Sequence, residues 1–165
     1  MSKQVELVLG ANTVIENTKC AIAFSTTKPL EFGQQLGLLW LPLDAYRKAV
    51  CSPAYLHESK DWAQLDSKDN PSAWQLDLPQ LFDKNNVSFL QLIAYVYHEP
   101  SLNLPAVELN DVSLTLNNGD IRYHFTTNER HVKAAIILEI YQRNGLFKCR
   151  ALGEASTQGL ASLEH

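Results

Sequence analysis

Near the C-terminal end the chain reads Ala134-Ala135-Ile136-Ile137-Leu138-Glu139-Ile140-Tyr141-Gln142, then Arg143-Asn144-Gly145, then Leu146-Phe147-Lys148-Cys149-Arg150-Ala151-Leu152. Two apolar, β-branched and aromatic runs flank an Asn-Gly pair. That pair is the strongest short-range hairpin signal, because a type I′ turn needs positive φ at both central residues. The first run is almost continuously apolar, as befits a strand buried on both faces. The second alternates, with Leu146, Lys148 and Arg150 on one face and Phe147, Cys149 and Ala151 on the other. This hairpin is read as the centre of a β-sheet core.

Working outward, Val5 to Gly10 reads as a short strand turned by Ala11-Asn12, and Cys20 to Thr27 as a second. Leu36 to Leu41 is apolar throughout and predicts a central strand, with Pro42 ending its pairing for want of a donor. Val50 to His57 reads as a short edge strand beside Pro53. Glu58 to Ser72 is the most polar segment and predicts a long loop with one helical turn. Trp74 to Leu78 alternates, and Leu78-Pro79-Gln80-Leu81-Phe82 resembles one short helical turn. Val87 to His98 is the longest clear strand. Val107 to Leu116 and Ile121 to Phe125 form a second hairpin around Asn117-Asn118-Gly119. Some eight to ten short strands separated by turn signals predict an all-β, two-sheet β-sandwich. Residues 1–162 read as a single domain of this kind, and Leu163-Glu164-His165 as an expression-tag remnant.

The composition narrows function by class. The chain has 165 residues, 45% hydrophobic and 19% charged, with a formal net charge of −4. Phosphate neutralisation needs a basic footprint, which this chain lacks, so nucleic acid is not an expected partner. No apolar run approaches the roughly 18 residues of a membrane span, and the first residues lack the apolar stretch of a signal peptide. Cys20, Cys51 and Cys149 are widely spaced, which fits reduced thiols in a cytoplasmic protein. No phosphate-loop or Gly-x-Ser-x-Gly pattern occurs. No enzymatic constellation is visible in the order of residues.

The run Leu138-Glu139-Ile140-Tyr141-Gln142-Arg143-Asn144-Gly145-Leu146-Phe147-Lys148-Cys149-Arg150-Ala151-Leu152-Gly153 resembles the TerD family, the tellurium-resistance and stress-response proteins. That family reads Gly-Glu-Leu-Tyr-Arg, a short turn, then Trp-Lys-Phe-Arg-Ala and a Gly. Gly159-Leu160 matches its closing Gly-Gly-Leu in part. Leu9-Gly10-Ala11-Asn12 is similar to its opening Gly-Gly-Asn turn, and Gln75-Leu76-Asp77-Leu78 to its Val-Asp-Leu. The resemblance implies a cytoplasmic β-sandwich that binds calcium through acidic loops and has no established catalytic activity. The acidic loops are where this chain departs. Gly33, Gln34 and Gln35 stand where the family has Asp-x-Asp. Lys68 replaces a Gly ahead of the retained Asp69-Asn70, and Pro71-Ser72-Ala73-Trp74 replaces an acidic run. Calcium takes six to eight oxygen ligands, several of them carboxylates.

The resemblance and its departures imply a non-catalytic binding or scaffold module of a bacterial stress-response system, with the calcium loops largely degenerate. Its expected partners are other proteins of that system. The alternative is a calcium-binding domain that uses Asp69, Asn70 and Glu99 with backbone oxygens. Trp62 and Trp74, beside the polar segment, are partner anchors if exposed and core residues if they fold inward. Asp66, Asp69 and Asn70 equally suit a solvated turn, and His57-Glu58 and His98-Glu99 suit strand ends. His124 and His131 have no metal-ligand spacing. Cys20 and Cys149 read as inert packing.

Overall fold

The computed structural model describes residues 4–26, 36–55, 60–67, 70–96, 109, 111–127 and 132–156. These hold twelve strands and one helix: β1 Val5–Leu7, β2 Asn12–Val14, β3 Lys19–Ser25, β4 Leu36–Leu43, β5 Ala54–Tyr55, β6 Ala63–Ser67, β7 Asn70–Asp77, α1 Leu78–Asn85, β8 Phe89–Val96, β9 Asp111–Leu116, β10 Ile121–Thr126, β11 Ala134–Arg143 and β12 Leu146–Ser156. The first sheet runs β1-β10-β9-β3-β7-β6 and the second β2-β12-β11-β8-β4-β5. The chain is an all-β sandwich. No helix among the described residues is long and apolar enough to cross a membrane.

The Asn-Gly hairpin organises the second sheet. Asn144 (φ 54°) and Gly145 (φ 79°) make the turn, so Arg143 pairs with Leu146 and Tyr141 with Lys148. β11 lies between β12 and β8, near the middle of its sheet. Phe147, Cys149 and Ala151 face the core, as their alternation requires. The near-continuous apolar runs have a reason the alternation rule alone would miss. Leu90, Leu92 and Ala94 fill the inter-sheet core, while Leu39, Leu41, Leu43, Ile93 and Ile136 form a second buried cluster on the sheet's other face. Tyr95 lies across Gly37, where an added Cβ would fall 2.2 Å from the tyrosine ring.

A polar device sits within that second face. Leu41, Gln91 and Glu139 share one cross-strand row. Glu139 is 3% exposed, accepts from Arg47 Nη1 at 2.5 Å and Nη2 at 3.3 Å, and accepts from Gln91 Nε2 at 2.8 Å. Arg47 also lies 4.1 Å over the Phe89 ring. A buried carboxylate needs such partners. The pair ties the Asp44–Lys48 turn, in which Asp44 Oδ1 accepts from the backbone of Tyr46 and Lys48, onto the sheet.

Three expectations change. Pro42 does not end β4: its carbonyl accepts from Val50 N, so its donor-less nitrogen also points away from β8, and pairing with β8 runs on through Leu43. Within the Glu58–Ser72 segment, predicted as a long loop, residues 63–67 and 70–72 are strand. β6 and β7 form a hairpin, with Ser67 paired to Asn70. The helix runs eight residues, over two turns, because Asp77 Oδ1 caps Gln80 N and Pro79 occupies the first turn. β5 is an edge strand, as Pro53 suggests.

The core closes around aromatics. Phe24, Trp40 and Trp74 pack with ring centroids 5.8 to 6.5 Å apart, and Phe82 meets Phe147 edge-on at 5.1 Å.

Candidate functional site

The chain leaves its first sheet early on one side. β1 runs parallel to β10, with Val5 opposite Ile121 and Leu7 opposite Tyr123. β10 continues to Thr126, but after Leu7 the chain turns, with Gly10 at φ 86° and Ala11 N donating to Val8 O. It then enters the second sheet, where Gly10 N donates to Ala151 O and Ala151 N to Ala11 O. Among the described residues, no strand pairs with β10 at His124–Thr126 on the side that β1 vacates.

A hollow of about 630 Å³ opens there. Leu7, Phe125 and Gly153 line its inner part, and Val8 and Leu9 form its rim at 70% and 68% exposure. Gly153 keeps it open: a Cβ there would meet Leu9 Cδ1 at 3.0 Å. Just inside, Tyr123 donates its hydroxyl to Leu152 O at 2.8 Å and so ties the two sheets together. Burial pushes that phenol's pKa up, so it stays a donor.

The outer wall is polar. Ser113 lies directly opposite His124, and Ser113 Oγ is 2.5 Å from His124 Nδ1. Asp111 Oδ2 lies 3.7 Å from His124 Nε2. With the proton on Nε2, the ring leans toward the Asp111 carboxylate and accepts the Ser113 hydroxyl on Nδ1. This is the order of a nucleophile, a base and an orienting acid. The guanidinium of Arg122 lies against Gly119 at the hairpin tip. The three groups form a preset polar wall. The register makes them neighbours: a turn that pairs Leu116 with Ile121 puts Ser113 opposite His124. Counting back from Asn117-Asn118-Gly119 would have found them.

The sequence candidates fare differently. Trp62 and Trp74 are corrected as surface anchors. Trp74 is 1% exposed in the aromatic core, and Trp62 is 6% exposed, its carbonyl accepting from Asp77 N. Burying an indole outweighs presenting it once β6 and β7 pair as a hairpin. Trp62 lines two smaller hollows, one of about 330 Å³ beside Lys19, Gln64 and Gln75 and one of about 510 Å³ beside Cys51, Lys60 and Lys84. Of the calcium candidates, Asn70 opens β7, while Asp69 and Glu99 lie outside the described residues, as do His57-Glu58, His98 and His131. Ser67 and Asn70 are paired across the β6–β7 hairpin. Among the described residues, no group of three or more His, Cys, Asp or Glu side chains is placed to hold a metal ion. Burial pushes the Cys149 thiol up to about 12 and Cys20 higher still.

No protein-family model matches the chain, and no curated protein is similar to it at a significant level.

Proposed function

We propose that this chain is a non-catalytic protein-binding module of TerD type, serving a bacterial stress-response system and engaging its partners through the open edge beside β10. The observation that carries the reading is the pair Val8 and Leu9. Two adjacent aliphatic side chains stand 70% and 68% exposed at the mouth of a 630 Å³ hollow, where no strand among the described residues covers the end of β10. Exposed apolar surface grouped around a hollow marks an interaction site more often than scattered exposed residues do. The TerD type rests on the Leu138–Gly153 motif, supported by the Leu9–Asn12 turn and the Gln75–Leu78 segment.

The test is copurification from cells that express the protein natively, using the tagged chain, its Leu9→Asp variant and a Leu146→Asp control. Leu146 is also exposed, but it sits at the Asn-Gly turn. Loss of the same partners with Leu9→Asp only is the expected result. Partners retained by Leu9→Asp as well as by the control would overturn the reading.

A further inference from the structure

The stretch of β10 that no strand among the described residues covers has a definite hydrogen-bonding character. Val5 N donates to Asp120 O, which sets the parity of the parallel β1–β10 ladder. In such a ladder alternate residues turn their backbone groups to the same neighbour. Asp120, Arg122 and His124 therefore face β1. One step further, the His124 carbonyl and the Thr126 N–H face the space that β1 leaves when it ends at Leu7. Backbone groups left open at a sheet edge are a template for another strand.

Side chains around the space alternate in the same sense. Phe125 points inward beside Gly153 and Leu9, and His124 and Thr126 point outward beside Ser113. The outer wall carries Glu6, Arg122 and His124, the last 3.7 Å from the Asp111 carboxylate, so charges of both signs are present and it favours no strongly charged occupant.

We propose that this notch takes an extended peptide segment of a partner protein as an added strand of the first sheet, continuing the line of β1. The peptide residue opposite Phe125 donates its N–H to His124 O and accepts from Thr126 N–H. Its apolar side chain enters the hollow against Phe125 and Leu9. The residues on either side of it are uncharged and polar, facing His124 and Thr126. Main-chain bonds supply affinity in such additions and the alternate side chains supply selectivity. The opening spans three residues of β10, about 10 Å at roughly 3.3 Å per residue. This assignment rests on the binding-module reading above and specifies the occupant of that site.

The probe is the peptide acetyl-Thr-Val-Thr-Val-Lys-amide, followed by nitrogen-15 NMR of the full chain. The expected result is perturbation grouped at Leu7–Leu9, His124–Thr126 and Gly153, with Thr126 amide exchange slowed about tenfold at saturation. N-methylation of both valines, which removes the donors, abolishes it. Gly153→Val, which fills the hollow while leaving the rest of the spectrum native, also abolishes it. Equal binding of the methylated peptide overturns strand addition but leaves the hollow a binding site. No perturbation up to about 1 mM peptide overturns the proposal, while the copurification experiment still decides the broader reading.

Discussion

Removing Arg47 should expose how the second sheet tolerates a buried carboxylate. Glu139 is 3% exposed and has three donors: two from Arg47 and one from Gln91. Arg47→Met keeps most of the aliphatic stem over Phe89 but deletes two of the three. Breaking a fully buried pair from one side costs about 3–5 kcal/mol. Arg47 itself is 51% exposed, so water reaches the vacated position and the cost falls to about 2 kcal/mol. For a chain of this size that lowers Tm by about 4–8 °C.

Urea unfolding of the wild type, Arg47→Met, Glu139→Gln and the double variant measures it as a cycle. The double variant should recover much of the loss, because a neutral amide needs no cation and still reaches Gln91. Arg143→Met, an exposed position at the end of β11, should stay within about 0.5 kcal/mol of wild type. A loss under about 0.5 kcal/mol for Arg47→Met would refute the ion pair. A double variant no better than the single would place the loss in the contact with Phe89.

Further outcomes follow from the turn, the thiols and the missing carboxylates. Gly145→Ala forces a side chain into φ 79° and should cost about 1 kcal/mol by urea unfolding, with no change in fold by circular dichroism. The buried thiols of Cys20 and Cys149 have pKa values raised above the ordinary 9.0, by desolvation first. The folded state thus keeps protons that the unfolded chain loses. Stability from the neutral thiols is complete below about pH 9 and falls as pH rises, by roughly 1.4 kcal/mol per unit for each thiol. Urea midpoints between pH 8 and 10.5 should therefore fall less steeply in the Cys20→Ala/Cys149→Ala variant than in wild type, and equal slopes would contradict the burial argument. Calcium in place of chelator should leave Tm unchanged, because Gly33-Gln34-Gln35 and Pro71-Ser72-Ala73-Trp74 supply none of the carboxylates that calcium needs. A rise of several degrees would instead point to the Asp69, Asn70 and Glu99 site.

Fold class was legible in the chain because its strongest signals are local. Asn144-Gly145 dictates a turn whatever surrounds it, and the alternation of Phe147, Cys149 and Ala151 dictates which face is buried. Asp77 and Pro79 likewise announce the helix they begin, though its second turn needed the burial of Leu81 and Phe82 to extend it. The polar segment misled for the opposite reason. Lys60, Asp61, Asp66, Lys68 and Asp69 look like loop residues. Yet Trp62 and Trp74, set among them, are worth more inside the core than outside it. Drawing both indoles inward pairs β6 with β7 as a hairpin.

What the sequence determined by itself is the sandwich: strand-forming runs, the two Asn/Gly turns and the apolar periodicity act over a few residues, where chain connectivity already supplies the contact. What only the tertiary structure decided is the site. The hollow beside β10 exists because β1 ends three residues before its neighbour and crosses to β12. Its walls join Leu9 to Gly153 across 144 positions of sequence. No local preference of Val8, Leu9 or Gly153 encodes that meeting; it follows from the order in which the strands pack.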